Sequence, residues 1–284
     1  MLAFRNRIDD LVHVTERGEG ILSASVAPSA TREFDAIVDE VGFLVECGLD
    51  QLLMIFCDPE ARGVAAGMAP AEIRALKAGT GDDLYRDASL DCARAVRVAF
   101  PHLPIIFSTS AQDIICYGRG RFLARCREVG VDAVDTPDYA GIEDPLGLAE
   151  ASLASQVHYI YSVFQPKDVA WDDGLARRAA GVIERSAGEV FAVPGESGAT
   201  KALDGKAFEG TVSFIRRIAS QRGIDPRIIA ISGINTPEDV RQMTHVAGAD
   251  GVHFSSAYLN RVAQGMPRGE IAFWLRAVKD AMRR

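Results

Sequence analysis

The segment Ile228-Ile-Ala-Ile-Ser-Gly-Ile-Asn-Thr-Pro-Glu-Asp-Val240, with Ala249-Asp-Gly-Val-His-Phe-Ser-Ser-Ala257 after it, decides the fold. Each part reads as a buried strand, a short loop of small residues and the start of a helix. In the first part Thr236 can cap a helix, and Pro237 suits the first helical position. Two neighbouring strands that end in this way form a cradle for an anion. In a (β/α)8 barrel the last two strands hold a substrate phosphate like this.

Strand and helix signals alternate along the whole chain. Apolar segments predict eight strands, at 20–26, 51–56, 104–109, 132–136, 157–163, 189–193, 228–231 and 251–254. Apolar residues at helical spacing predict helices at 33–47, 70–78, 89–100, 119–129, 145–155, 174–186, 205–222, 238–247 and 268–282. Eight strands alternating with helices predict a parallel α/β sheet closed into a (β/α)8 TIM barrel, with residues 1–284 as a single domain. A doubly wound open sheet is the alternative.

Composition narrows the classes of partner. The chain has 284 residues, of which 48% are hydrophobic, and a formal net charge of −8, which argues against a nucleic acid or an anionic membrane as the main partner. No apolar run is long enough to span a bilayer, and the first ten residues lack the apolar core of a signal peptide. The five cysteines are scattered without a CxxC pair, so we expect reduced thiols in a cytoplasmic protein.

Six groups of short motifs follow one another in an order that resembles a known family. They are Val45-Glu-Cys-Gly-Leu-Asp50 with Phe56-Cys-Asp-Pro59; Pro104-Ile-Ile-Phe107 with Tyr117-Gly118 and Arg121-Phe-Leu123; Gly130-Val-Asp-Ala-Val134 with Pro137-Asp138; Gly198-Ala-Thr200; Gly233-Ile-Asn-Thr-Pro-Glu-Asp-Val240; and Ala249-Asp-Gly-Val252 with Ser256-Ala257. Together they resemble the alpha subunit of tryptophan synthase, which cleaves indole-3-glycerol phosphate by a retro-aldol step. The resemblance implies a phosphorylated substrate and a partner enzyme subunit.

The departures from that family concern its chemistry. Gln51 aligns with the family's general-acid glutamate and Arg62 with its second catalytic carboxylate. An amide cannot exchange a proton at neutral pH. Ser108 and Asp135 replace apolar residues that enclose the indole ring, and a carboxylate facing indole would be costly to desolvate. The departures therefore predict a polar pocket, in which Gln51 and Arg62 contact a polar substrate; a solvated Arg62 is the alternative.

Two titratable residues are candidates for acid–base catalysis. His253 is two residues from Ser255 on strand eight, so both side chains should lie on the same face of that strand. Asp135 aligns with a strand-four residue of the family that lines its pocket. Both His253 and Asp135 should therefore point into the barrel. The alternatives are a core histidine with satisfied hydrogen bonds and an internal polar network. Asp138, after strand four, lies at the end of the barrel where active sites form, although it could simply cap the next turn.

The predicted anion site is built from the loops after strands six, seven and eight. Its residues are Gly233, Ile234, Ser255 and Ser256, with Gly198, Thr200 and Lys201 in a loop that could close over the site. Small residues that merely close the strand ends, and a solvated lysine, are the alternatives. The family has glycine at Ile231 and Ser255, so a smaller anion or a carboxylate also fits.

Strand five carries His158, Tyr159 and Tyr161, but the sequence does not say which of them face inward. No metal-ligand spacing occurs, and neither a metal nor a cofactor is predicted.

The leading hypothesis is an aldolase- or lyase-like enzyme that acts on a small polar phosphorylated metabolite, and isomerisation fits the same parts. A non-catalytic barrel that binds a ligand or activates a partner is the second hypothesis, and an indole-3-glycerol phosphate lyase is the third.

Overall fold

The computed structural model describes residues 4–26, 34–56, 82–136, 146–165, 177, 180–181, 183–184, 186, 188–194, 205–231 and 233–283. Eight parallel strands pair in sequence order and close into a barrel, with β8 beside β1. They are β1 Ile21–Val26, β2 Gln51–Ile55, β3 Ile105–Ser108, β4 Ala133–Asp135, β5 His158–Gln165, β6 Glu189–Pro194, β7 Arg227–Ile231 and β8 Gly251–Phe254. The barrel confirms the predicted (β/α)8 TIM fold and excludes the open sheet.

Helices surround the barrel. They are α1 Arg7–Asp10, α2 Val12–Glu16, α3 Phe34–Glu46, α4 Asp82–Ala99, α5 Ala111–Tyr117, α6 Arg119–Val129, α7 Leu148–Ala154, α8 Gly205–Gln221, α9 Pro237–Arg241, α10 Ser256–Ala263 and α11 Arg268–Ala281. A π-helical turn, Gln242–Val246, continues α9. None of the helices in these described ranges is long and apolar enough to cross a bilayer.

The structure differs from the helix predictions in the start of one helix and in short helices that were not predicted. The fourth helix begins at Asp82, before the predicted start at 89, because its first residues are largely polar and show little apolar periodicity. Helices α1, α2 and α5 were not predicted, since each is too short to display a period. The predicted helix at 70–78 lies outside the described residues.

The core has two layers. An outer layer fills the space between the strands and the helices. An inner cluster fills the barrel with one apolar side chain from almost every strand, and its members from the strands are Ile21, Leu53, Ile106, Ala133, Ile160, Phe191 and Ile229. Ile8, Leu11 and Val14 of the amino-terminal segment belong to the same cluster, so α1 and α2 close the amino-terminal end of the barrel.

A glycine–aliphatic–aspartate sequence precedes three even-numbered strands. Asp50, Asp132 and Asp250 each come directly before β2, β4 or β8. Each carboxylate accepts a backbone N–H from the preceding strand, from Leu22 (2.7 Å), Ile105 (2.9 Å) and Ile228 (2.8 Å) respectively.

The same three carboxylates pair with a basic side chain of a helix, namely Lys279, Arg97 and Arg216. The repeat therefore joins neighbouring strands and an outer helix at the amino-terminal end of the barrel. It leaves the carboxyl end to other residues.

Candidate functional site

The polar residues inside the barrel gather at its two ends. Ser108 and Asp135 are the last residues of β3 and β4, His253 is next to last in β8, and Ser255 follows β8 directly. The carboxyl ends of the strands are where TIM-barrel enzymes carry their active sites. The structure therefore brings these four predicted site residues to the functional end of the fold.

Asp135 is buried and held by two serine hydroxyls. Ser108 Oγ donates to Asp135 Oδ2 at 3.1 Å, and Ser162 Oγ donates to Oδ1 at 3.2 Å. Ser108 pairs with Asp135 in the register of β3 and β4, whereas Ser162 comes from β5. Each carboxylate oxygen thus has a hydrogen-bond donor, which offsets part of the cost of burying the group.

The face of β5 that points inward decides which of its residues belong to this end of the barrel. Ile160 belongs to the inner cluster, while Tyr159 and Tyr161 pack in the outer core. His158 and Ser162 therefore face inward with Ile160, since side chains alternate along a strand. Sequence analysis missed Ser162 because it could not choose between these faces.

His253 lies inside the barrel between two serines of β1. Its Nδ1 is 2.8 Å from Ser23 Oγ, and its Nε2 is 3.0 Å from Ser25 Oγ. All three side chains are buried, and the ring of Phe191 lies beside the imidazole with the ring centres 6.4 Å apart. Neither serine was predicted, because nothing in the sequence relates β1 to a residue 230 positions away.

Asp135 and His253 lie on opposite sides of the barrel. Their strands, β4 and β8, are four apart in the closed order of eight. One side therefore carries a carboxylate with its two serines, and the facing side carries an imidazole with two others.

Gln51 occupies the other end of the barrel. It is the first residue of β2, is fully buried, and donates from Nε2 to Glu189 Oε1 at 3.0 Å. Glu189 also lies 3.6 Å from Arg227 Nε. Burial raises the pKa of Glu189, against the opposing effect of the Arg227 guanidinium. Because the amide nitrogen of Gln51 already donates to Glu189, a substrate would have to compete with that carboxylate for it.

Sequence analysis did not single out Glu189, since one glutamate before an apolar strand more often faces solvent. Its partner Gln51 is 138 positions away in the chain.

The two predicted helix starts of the anion cradle differ in how they are capped. Thr236 caps α9 through a reciprocal pair of hydrogen bonds with Asp239. Ser255, at the amino-terminal cap position of α10, makes no side-chain capping hydrogen bond. Ser255 and Ser256 are both partly exposed. The first-turn N–H groups of α10 have no capping side chain from Ser255, so this is the better of the two helix ends for an anion.

The loop after β7 borders the α10 helix end. Gly233 has φ +73°, a left-handed conformation that favours glycine. The side chain of Ile234 is buried in the core, so only its backbone can contact a ligand. Arg261, in the last turn of α10, reaches back to the first turn, where it donates to the carbonyl of Ala257 at 2.6 Å. It also donates to the carbonyl of Asn235 at 3.4 Å and lies over the ring of Trp274, 4.0 Å from its centre. Arg261 is thus a basic side chain next to the cradle that the sequence did not reveal.

The other predicted site residues, Arg62, Asp138, Gly198, Thr200 and Lys201, lie outside the described residues. Within the part of the chain that the structure covers, no group of three or more His, Cys, Asp or Glu side chains could hold a metal ion.

Comparisons with known proteins agree with the fold. Residues 28–277 match the family model described as tryptophan synthase alpha chain. The tryptophan synthase alpha chain of Halobacterium salinarum is 28% identical over 269 residues, which are 90% of this chain and 86% of the relative. That of Helicobacter pylori is 29% identical over 218 residues, or 76% and 75% of the two chains.

Solved structures show the same architecture. The tryptophan synthase alpha chain of Legionella pneumophila has a TM-score of 0.74 at 20% identity, with 98% of each chain covered. A structure from Aquifex aeolicus has a TM-score of 0.76 at 18% identity, with 99% of this chain and 100% of the other covered. At these identities the similarity concerns the fold.

Proposed function

Because this chain belongs to the tryptophan synthase alpha chain family, we propose that it is an aldolase-type carbon–carbon lyase whose substrate is a small polar phosphorylated metabolite. One observation carries the proposal: a buried carboxylate and a buried imidazole, Asp135 and His253, face each other across the carboxyl end of the barrel. Serine hydroxyls surround both groups. A polar substrate offers hydrogen-bonding groups to this carboxylate and imidazole, whereas an indole ring would place a largely apolar surface against them.

The reaction needs one base and one acid. In a retro-aldol cleavage the base removes the proton of a substrate hydroxyl, and the carbon–carbon bond breaks as that oxygen becomes a carbonyl. The acid then returns a proton to the carbon that keeps the electron pair. Asp135 and His253 lie on opposite sides of the barrel, so each could serve a different atom of a substrate held between them. Isomerisation of the same kind of substrate would use the same two groups.

The substrate phosphate would lie against the first turn of α10. Ser255, Ser256 and the backbone at Gly233 and Ile234 offer N–H groups and hydroxyls there, and the nearby Arg261 adds positive charge. In the same proposal Gly198, Thr200 and Lys201 close over the site, and Arg62 and Asp138 contact the polar part of the substrate. Gln51, which donates to Glu189 at the amino-terminal end of the barrel, does not contact the substrate in this proposal.

A thermal-shift screen tests the choice of substrate. The panel contains phosphorylated sugars, carboxylic acids, inorganic phosphate and indole-3-glycerol phosphate. A ligand at 100 times its Kd stabilises the native state by about 2.7 kcal/mol, which raises Tm by roughly 4–5 °C for a chain of this size. We expect that shift from a phosphorylated polyol. Release of indole from indole-3-glycerol phosphate, undiminished in Asp135→Asn, would contradict the proposal.

A matched pair of variants tests the catalytic assignment. Once a substrate is identified, Asp135→Asn should lower kcat by at least about 100-fold, because the amide cannot take a proton. Ser152→Ala removes a buried hydroxyl of α7 that donates to the carbonyl of His158, away from both candidate groups, and should keep normal turnover. Equal activity of wild type and Asp135→Asn would contradict the role of Asp135.

The second candidate is a non-catalytic barrel that activates a partner enzyme, as alpha subunits of this family do for their beta subunits. The observation that favours it is Gln51, which holds the position of the family's general acid and is tied to Glu189. Adding this protein to a tryptophan synthase beta subunit tests it. Faster beta-subunit turnover, with no ligand in the panel consumed, would favour this reading over the lyase.

A further inference from the structure

Two serines of β1 bracket both nitrogens of one imidazole. Ser23 and Ser25 are two residues apart, so their side chains share the inner face of the strand. β1 and β8 pair in register at Ser23 and His253, which places the ring over this pair of hydroxyls. The two distances, 2.8 Å to Nδ1 and 3.0 Å to Nε2, are both hydrogen bonds.

This arrangement satisfies the imidazole in every proton state. A hydroxyl can donate or accept, so each serine can serve a ring nitrogen that carries a proton or one that does not. A carboxylate at either nitrogen would accept only and would fix one tautomer. With two serines, a buried His253 can gain or lose a proton at Nε2 without leaving a polar atom without its hydrogen bond.

The two serines differ in their position along the barrel. Ser25 lies two residues nearer the carboxyl end of β1 than Ser23, which is a rise of roughly 6.6 Å along the strand. Ser25 is therefore the member of the pair that lies toward the substrate end, and Ser23 is the deeper one.

We propose that Ser25 is a catalytic residue that carries protons between His253 and the substrate, and that Ser23 is a positioning residue that acts through the imidazole. The inference rests on the proposed function for its substrate, a polar metabolite that exchanges a proton at this end of the barrel. When the substrate is protonated, Ser25 Oγ gives up its hydrogen and takes one from Nε2–H. Ser25 ends with the proton count it began with, and the imidazolium becomes neutral. The reverse sequence removes a proton from the substrate.

Nitrogen-15 NMR of the histidine side chains tests the inference without a substrate. The signal of His253 is assigned by its loss in His253→Gln. In Ser23→Ala the ring proton should move to Nε2, where Ser25 can accept it, and in Ser25→Ala it should move to Nδ1, toward Ser23. Ser152→Ala is the matched control and should leave the His253 signals unchanged. The same tautomer in wild type and both β1 variants would overturn the inference.

The exchange of the imidazole N–H with solvent separates the two serine roles. It should slow in Ser25→Ala and stay near the wild-type rate in Ser23→Ala. Unchanged exchange in Ser25→Ala would overturn the part assigned to Ser25. If an alanine variant does not fold, Ser25→Thr, which keeps a hydroxyl, should show wild-type exchange, and slow exchange there would equally count against the relay.

With a substrate in hand, Ser25→Ala should lower kcat by about 100-fold with little change in KM. Ser25→Thr should recover part of that loss. A failed ligand screen would remove the proposed function, whereas identical NMR tautomers would remove the serine relay, so the two failures are distinguishable.

Discussion

Asp225 and Asp250 offer a test of the aspartate repeat, because both pair with the same arginine. Arg216 forms ion pairs with Asp225, at 2.8 Å, and with Asp250. The side chain of Asp225 is 92% exposed and that of Asp250 is 13% exposed. Asp250 alone of the two also accepts the backbone N–H of Ile228, at 2.8 Å. Replacing each aspartate by alanine therefore compares the stability contributed by a buried and by an exposed partner of the same arginine.

The expected costs differ severalfold. Asp250→Ala leaves a strand N–H without its acceptor, which costs about 1–3 kcal/mol. It also removes a largely buried partner from Arg216, whose own side chain is 33% exposed, so the charge term is smaller than for a fully buried pair. We expect a total loss of about 2–4 kcal/mol in the free energy of unfolding. Asp225→Ala removes a solvated pair and should cost at most about 1 kcal/mol.

Urea unfolding at pH 7, followed by circular dichroism, measures both values. A loss of about 2–4 kcal/mol corresponds to a fall in Tm of roughly 3–7 °C for a chain of this size. Equal costs for the two variants would refute the reasoning, because they would show that neither burial nor the backbone hydrogen bond matters at Asp250.

Three further predictions concern the barrel interior and its amino-terminal end. Gln51→Glu places a second carboxylate against Glu189, whose pKa is already raised by burial. The variant should lose at least about 2 kcal/mol in the free energy of unfolding, measured by urea titration. The loss should grow as the pH rises from about 5 to 8, because the folded state favours the protonated form of these carboxyls. Burial raises the pKa of Asp9, but hydrogen bonds to its carboxylate outweigh burial and lower that pKa overall. Asp9 therefore stabilises the fold above its unfolded pKa and loses that effect in acid. Asp9→Asn should flatten the fall in Tm below about pH 4, and the same fall in Tm in the variant and the wild type would contradict this. A Cβ at Gly251 would lie 2.3 Å from the carbonyl oxygen of Ile21 in β1, so Gly251→Ala should cost about 1–3 kcal/mol of unfolding free energy. A Cβ at Gly269 of α11 would meet no atom within 4 Å. Gly269→Ala should therefore be neutral or stabilising by up to about 1 kcal/mol in the same urea assay.

The sequence predicts most of the barrel because each of its elements has a local signature. Apolar runs mark the strands, and a 3.6-residue period marks helices such as α8. The prediction fails where the signature is too short, as in α1 and α2, which close the end of the barrel with only a few apolar residues each. The glycine–aliphatic–aspartate repeat is visible in the sequence, but its meaning depends on a hydrogen bond to a neighbouring strand.

In the candidate site, the sequence predicts which way the side chains point but not which side chains they contact. Strand parity predicts the inward direction of Asp135 and His253, because alternation is a property of a single strand. The partners of these side chains come from other strands: Ser162 for Asp135, and Ser23 and Ser25 for His253. No local pattern relates such residues, so they could not be paired from the sequence.

The sequence by itself determined the eight-fold alternation, the resemblance to the tryptophan synthase alpha family and the polar character of the residues inside the carboxyl end. The tertiary structure alone decided which polar groups meet. Closing the sheet sets one register around all eight strands, and that register brings Gln51 to Glu189 at one end and His253 to Ser23 at the other. The physical reason is that hydrogen bonds act over about 3 Å, whereas their partners here are more than a hundred residues apart in the chain.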